Sequence, residues 1–422
     1  MIEENLDGKK RYIVIFKNKN ERKDKEKDKT EILQQSVGPR LHFIDVGVKT
    51  AGFAPPDDPY GLVALDINDF EFPMVFAALS EEEVNALKKD PNVALVEPDG
   101  KFYAQGLSPY WLPSEGNFFR GSELLPDTQT VISNGVSAQA DSIPWGVSNI
   151  KAPMCWEATM GKGIHVAVLD TGIWPHEDLK GNLLGGISFV PGESWVDENG
   201  HGTHVAGTIA AKLNGSGVVG VAPSAYLYGI KVLGNDGSGN WSWLMSGLYW
   251  MRKYHGCTFD IANLSLGGSG APSALETYIN YASEQTLLVT AAGNYPADAP
   301  DKPVMYPAKY ERCLAVSAIQ SDNTIAKFSG RGPEVELCAP GVNIVSTLPG
   351  NNYGSLSGTS MAAPHVAGAA ALCRGTHRSL KMDKIREILV NTANNLGVPG
   401  KDDEYGYGKV DCNGATFHKS CG

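Results

Sequence analysis

Between Arg11 and Lys17 the side chains alternate, Tyr12, Val14 and Phe16 against Ile13 and Ile15, and both sets are β-branched or aromatic. This pattern predicts a strand with two partly buried faces, and Val93 to Val96 predicts a second. Between them Ser80-Glu81-Glu82-Glu83 forms a capping box before Val84 to Lys89, with Leu79 and Val84 placed as a hydrophobic staple and Asp90-Pro91 as the stop. Further on, His165 to Leu169 reads as a short buried strand with Asp170 at its carboxyl end beside a glycine turn. Two runs of small and apolar residues, His204 to Ala211 after His201 and Met361 to Cys373 after Ser360, read as buried helices. The elements predict an α/β protein with a small α+β unit at its front.

Polar stretches punctuate this pattern. Lys17 to Lys29 is a dense charge run, expected to be a solvated helix or loop, and Thr50 to Tyr60 is a loop rich in proline and aspartate. Ala104 to Ala140, rich in Pro, Gly and Ser, reads as a linker or insertion. Residues 1–103, 104–140 and 141–422 are thus expected to be a front domain, a connector and a larger second domain.

Length agrees, since 422 residues exceed one ordinary domain. Hydrophobic content of 42% with 48 glycines, and no apolar run near eighteen residues, describes a globular chain with no membrane span. A net charge of -11 argues against nucleic acid as a partner. Met1 to Lys10 lacks the apolar core of a secretory signal, leaving a cytoplasmic protein or one whose signal was removed. The seven cysteines all lie in the second domain. One bridge between Cys313 and Cys338, and buried thiols throughout, are both compatible with their apolar settings.

Three motifs carry chemistry: Val168-Leu169-Asp170-Thr171-Gly172, Asn199-Gly200-His201-Gly202-Thr203-His204-Val205-Ala206-Gly207 and Gly358-Thr359-Ser360-Met361-Ala362-Ala363-Pro364. A serine hydroxyl is a weak nucleophile at neutral pH; it needs an imidazole to take its proton and a carboxylate to orient that imidazole. Asp170 sits where open parallel sheets place their sites. Ser360 begins a helix, whose unpaired N–H groups suit a developing oxyanion. The pattern alone leaves His201 and His204 both open as the base.

With Ser265-Leu266-Gly267-Gly268 and Ala291-Ala292-Gly293-Asn294 in between, these motifs resemble the subtilisin family of peptidases from about Ile143 to Val410. The resemblance implies an α/β fold, a largely parallel sheet with helices on both faces preceded by a small α+β propeptide domain, and a serine endopeptidase with Ser360 as nucleophile, His201 as general base and acid, Asp170 fixing the imidazole, and Asn294 completing the oxyanion hole. His204 is then a buried, hydrogen-bonded histidine. Leu79 to Tyr103 and Tyr12 to Lys17 are similar to the family's propeptide, which assists folding and then inhibits with its tail lying in the cleft.

Two junctions resemble the family's autocleavage point, Tyr103 before Ala104-Gln105 and Ser137 before Ala138-Gln139; the first, ending the front unit directly, is the expected one. The resemblance implies structural calcium held by Asp178 and Asn214 side chains and by Lys212, Ser216 and Val218 carbonyls, with Asp141 or Gln139 completing the set. A weaker site would use Glu334 and Glu336. Substrate strands are expected along Gly237 to Gly239 and Ser265, Leu266 and Gly267, with Trp241 walling an apolar side chain two or three places before the cut. Met305 stands where the family commonly has glycine at the floor of the primary pocket, so a shallower pocket is expected.

Protein or peptide substrates and the chain's own propeptide are the implied partners. Action outside the cell is the expectation, because a complete inhibitory propeptide is the secreted pattern. Two alternatives stand beside it: a catalytically silent binding protein on the same fold, and a narrow processing enzyme whose connector docks a partner through Tyr110, Trp111, Phe118 and Phe119.

Overall fold

The computed structural model describes residues 9–17, 32, 42–43, 74–105, 141–254 and 256–419. Most of the Lys17 to Lys29 charge run, the Thr50 to Tyr60 loop, residues 106–140 with the Ser137-Ala138-Gln139 junction and the four connector aromatics, and Cys421 lie outside them.

Among the described residues the front unit is an antiparallel sheet of β1 (Lys10–Phe16), β2 (His42–Phe43), β3 (Met74–Leu79) and β4 (Val93–Pro98), in the order β2-β3-β1-β4. A helix, Glu81–Leu87, crosses it. Its capping box forms as the sequence implies: Ser80 Oγ accepts from the Glu83 N–H at 3.2 Å, and Glu83 returns an oxygen to the Ser80 N–H at 2.7 Å. Strand alternation then divides the side chains between two cores. Val14, Phe16, Val75, Ala77 and Leu79 pack with Val84 and Leu87 of the helix. On the other face Ile13, Met74, Phe76 and Ala78 join Leu244, Met245, Leu248 and Leu275 of the larger domain. Burying both faces is why neither strand shows a polar side.

After β4 the chain continues as β5 (Lys101–Ala104) and enters the larger domain. There β6 (His165–Asp170), β7 (Leu183–Ser188), β8 (Tyr226–Lys231), β10 (Ile261–Leu264), β12 (Leu287–Ala291), β13 (Cys313–Ile319) and β14 (Val335–Pro340) form one sheet, ordered β14-β13-β12-β10-β6-β8-β7, with every pairing parallel. Two short strands, β9 (Ser238–Asn240) and β11 (Leu266–Gly267), flank β5 in a separate three-stranded sheet, and β15 (Ile344–Leu348) pairs with β16 (Asn352–Leu356). Helices His201–Ala210 and Thr359–Thr376 bury against one face of the large sheet, and Trp241–Lys253 and Ala274–Ser283 against the other.

The chain leaves β6 toward β7 and β8 on one side and later crosses to β10 on the other. The crevice at this reversal, outside the strands' carboxyl ends, is where such sheets bind ligands. Asp170 ends β6 there and Ser265 follows β10. The conceivable Cys313–Cys338 bridge is absent: Cys338 lies opposite Ser317 and Cys313 opposite Leu288, and all six described cysteines are free. No helix among the described residues is long and apolar enough to cross a membrane.

Candidate active site

Asp170 and His201 meet in the interior. One carboxylate oxygen, Oδ1, lies 2.7 Å from His201 Nδ1 and accepts the Thr171 N–H at 2.7 Å. This contact assigns the proton to Nδ1 and leaves the lone pair on Nε2. The approach needs a glycine beside the histidine, because a Cβ on Gly202 would lie 2.1 Å from the Gly172 oxygen.

His201 Nε2 is buried and has no hydrogen-bond partner among the described residues. Ser360, at the start of its helix, instead turns its hydroxyl to the Ser265 carbonyl at 2.9 Å. The third member of the expected relay is therefore rotated away from the imidazole. A buried orphan acceptor of this kind costs about 1–3 kcal/mol until a donor reaches it.

The crevice holds the protein's own chain. Strand β5 runs antiparallel between β9 and β11, pairing Lys101, Phe102 and Tyr103 with Asn240, Gly239 and Ser238, and Tyr103 and Ala104 with Gly267 and Leu266. Gly237 accepts the Ala104 N–H at 3.0 Å, and the Ser265 carbonyl accepts the Gln105 N–H at 3.0 Å. Phe102 is fully buried, its ring 4.7 Å from that of Trp241, and a Cβ on Gly239 would lie 2.7 Å from Phe102 Cζ. The expected segments and Trp241 thus all line one bound strand.

At the end of that strand the Gln105 carbonyl accepts the Ser360 N–H at 3.1 Å and an Asn294 Nδ2–H at 2.6 Å. Asn294 is oriented for this by Thr359, whose N–H and hydroxyl both donate to Asn294 Oδ1 at 3.0 Å. The register differs from the one a junction after Tyr103 would need. Tyr103 lies two residues short, with its carbonyl accepting from the Gln105 side chain at 3.3 Å, and the carbonyl that faces Ser360 is that of Gln105.

His204 takes the structural role. Its Nε2 faces the carbonyls of Ile344 at 2.8 Å and Gly354 at 3.2 Å, and burial pushes its pKa down to about 3. Burial also raises the thiols, Cys373 and Cys313 to about 12, so neither is a nucleophile near neutral pH.

Three residues around the site escaped the sequence reading. Asp197, fully buried, accepts from the N–H groups of Asn199, Gly200 and Thr203 and from the hydroxyls of Thr171 and Thr203, at 2.6–3.0 Å. It ties the turn after Asp170 to the start of the His201 helix. Burial raises its pKa against the pull of these hydrogen bonds. Thr359 is the second, and Lys231 the third, its buried ammonium donating to the Thr171 carbonyl at 2.7 Å. An acid shortly before a helix start was a signal for Asp197; Thr359 and Lys231 carried none.

In the expected calcium loop, Asp178 accepts the Val218 N–H at 3.0 Å and the Tyr353 hydroxyl at 2.8 Å, and its Oδ1 lies 3.5 Å from the Asn214 amide. A Cβ on Gly217 would fall 2.0 Å from Asp178 Oδ2, so the loop closes directly over the carboxylate. Asp141 departs from the expectation: its oxygens accept the backbone N–H groups of Asn214, Gly215 and Ser216 at 2.9–3.2 Å. It anchors the loop from its donor side rather than facing its carbonyls. Glu336 is likewise engaged, by Arg386 Nε at 2.9 Å. Among the described residues no group of three or more His, Cys, Asp or Glu is placed to hold a metal, so a cation here would rest on one carboxylate, one amide and carbonyls.

Residues 161–408 match the subtilase family. The chain is 43% identical over 354 residues to an alkaline protease of Shouchella clausii, covering 83% of this chain and 81% of that protein. It is 49% identical over 280 residues to subtilisin Savinase of Lederbergia lenta, covering 66% of this chain and all of the relative. With subtilisin E of Bacillus subtilis (strain 168) the identity is 42% over 338 residues, 79% of this chain and 77% of the relative. A parallel α/β sheet with acid and imidazole paired at its crevice, and a hydroxyl beside two convergent N–H donors, agrees with these matches: the chain belongs to the subtilase family and is a subtilisin-like serine endopeptidase.

Proposed function

We propose that residues 10–105 are a propeptide that inhibits the enzyme as a bound product strand, and that Ser360 releases it by cutting Gln105–Gly106. The observation carrying this reading is the Gln105 carbonyl oxygen between the Ser360 N–H and the Asn294 amide. These are the two donors an oxyanion there would need.

In the reaction the Ser360 hydroxyl turns from the Ser265 carbonyl to His201 Nε2, gives up its proton and attacks the carbonyl carbon of Gln105. The negative charge passes to the carbonyl oxygen, held by the Ser360 N–H and Asn294. Collapse expels the Gly106 amine, which takes the proton from His201, and leaves Gln105 esterified to Ser360. Water, deprotonated by His201, then attacks the ester carbon, and the Ser360 oxygen leaves with the proton returned by His201, freeing the Gln105 carboxylate. Asp170 holds the imidazole's Nδ1–H throughout and stabilises its transient positive charge. On protein substrates the same cycle follows once the front unit has left and another strand pairs with β9 and β11.

Structural calcium fits the Asp178 loop. Asp178, the Asn214 side chain once its oxygen turns from the Ser216 N–H and hydroxyl, and the carbonyls of Lys212, Ser216 and Val218 would supply the mixed oxygen set that calcium prefers, and Asp141 is left as the loop's anchor. The ion would pin the loop and take no part in the chemistry. Secretion is the reading that a complete inhibitory front unit supports.

A fluorophosphonate probe tests the assignment. Matured enzyme should be labelled on Ser360, and the intact Asn294→Ala chain, slow to mature and with its cleft still filled, should be labelled far more slowly. Labelling of another residue, or equal labelling of Ser360→Ala, would refute it.

A further inference from the structure

We propose that this endopeptidase selects glutamine immediately before the bond it cuts. The inference deepens the reading above, because it takes Gln105 as the residue whose carbonyl is attacked.

The pocket beside that carbonyl is closed by a side chain. Met305 is 4% exposed and lies against Gly293, where a Cβ would meet its Cγ at 2.7 Å and its Sδ at 3.0 Å. From a Cβ built on Gly267, Met305 Cβ is 3.3 Å and Gln105 Cγ 3.6 Å away. Two glycines form the walls, Met305 occupies the space between them, and only an unbranched side chain of short reach remains accommodated above it.

The mouth of this shallow pocket is polar, and both halves of one amide are satisfied there. Gln105 Oε1 accepts the Asn294 N–H at 3.0 Å. Its Nε2 donates to the Gly267 carbonyl at 3.1 Å and to the strand's own Tyr103 carbonyl at 3.3 Å. The amide can sit only one way round, since the reverse would face oxygen with oxygen and N–H with N–H. Gln105 is 7% exposed, so its polar atoms have little water to fall back on.

Other side chains fail for separate reasons. Methionine has the same length and flexibility but makes neither bond. Glutamate turns an acceptor toward the Gly267 and Tyr103 carbonyls. Phenylalanine needs the depth that Met305 fills. A site built around hydrogen bonds rejects analogues lacking them more sharply than an apolar pocket rejects a missing methylene.

The test is a panel of fluorogenic amides, Phe-Tyr-Ala-X, on matured wild-type enzyme with X as Gln, Met, Glu, Leu or Phe. Glutamine is expected to give the highest kcat/KM, tenfold or more above methionine and phenylalanine, with glutamate lowest. Phenylalanine, leucine or methionine equal to glutamine, or glutamate equal to it, would overturn the proposal. Met305→Gly should raise the Phe-to-Gln ratio at least tenfold by opening the floor; Met305→Ala serves if the glycine variant does not fold, and an unchanged ratio in a folded variant would overturn the role of Met305. Mapping the new N-terminus of the maturing chain separates the two readings. Cleavage elsewhere than before Gly106 would defeat the junction, while the peptide ranking judges the selectivity on its own.

Discussion

Replacing Asp99 by alanine should loosen the front unit from the enzyme. Asp99, just beyond β4, accepts the Ser242 N–H at 2.9 Å and the Ser242 hydroxyl at 2.6 Å, capping the first turn of the Trp241–Lys253 helix from another domain. It also accepts Arg11 Nε at 3.0 Å, and the Arg11 side chain is only 11% exposed. Loss of a helix cap costs about 1 kcal/mol, and a hydrogen bond to a partly buried charge about 1.5–3 kcal/mol. Arg11 keeps a contact to the Ser242 hydroxyl at 3.1 Å, so the lower part of that range applies and the total is about 2–3 kcal/mol. At 1.4 kcal/mol per factor of ten, the inhibition constant of residues 1–105 added to matured enzyme should rise by about 30–150-fold. Circular dichroism of the variant unit checks that its sheet persists, since Val14, Val75 and Val96 are untouched. Ser242→Ala on the enzyme should show a smaller loss, and should add little once Asp99 is gone. An inhibition constant for Asp99→Ala within threefold of wild type would refute the reasoning.

Burial lowers the pKa values of His204 and His365 to about 3 and about 4. An unfolded histidine titrates near 6.5, so their stabilisation is complete above that pH and falls as the pH drops toward 4. The slope should approach about 2.7 kcal/mol per pH unit for two protons; denaturant unfolding of Ser360→Ala between pH 6.5 and 5 measures it, and a flat profile would contradict it. Asp197→Ala strands the buried N–H groups of Gly200 and Thr203 and the half-buried one of Asn199 and should cost the same inactive chain about 3 kcal/mol or more, whereas a loss under 1 kcal/mol would mean that water replaces the carboxylate. Calcium should raise the melting temperature by binding the folded state, and Asp178→Ala should abolish that shift; an unchanged shift in the variant would move the site elsewhere.

Much of this was legible in the sequence because it is written in local signals. The Ser80 capping box, the alternation in β1 and the small-residue runs of the two buried helices each specify an element without reference to the rest of the chain. Asp170, His201 and Ser360 stand out in the sequence because each sits at or beside an element's end inside a distinctive motif. The register of the bound strand at Ser360 was not legible. Tyr103 in β5 and Gln105 just beyond its end are two residues apart, so a slip between them leaves every side chain on its own face, and the alternation cannot distinguish them. The register is set by partners far along the chain: the Ser242 N–H that Asp99 caps, the Ser273 and Ala274 N–H groups that Glu97 caps, and the ladders to β9 and β11. Thr359 was hidden for a similar reason, since its task of holding the Asn294 amide exists only after two distant loops meet. The cysteine bridge failed on register too, with each thiol opposite a different residue of a neighbouring strand.

Intact-mass and N-terminal analysis of the wild-type chain during maturation, alongside Ser360→Ala, meets the account at its centre. The wild type should yield a first new N-terminus at Gly106 and a fragment ending at Gln105, while Ser360→Ala stays whole. A first cut after Tyr103 or Ser137, or an equally cleaved Ser360→Ala chain, would contradict it.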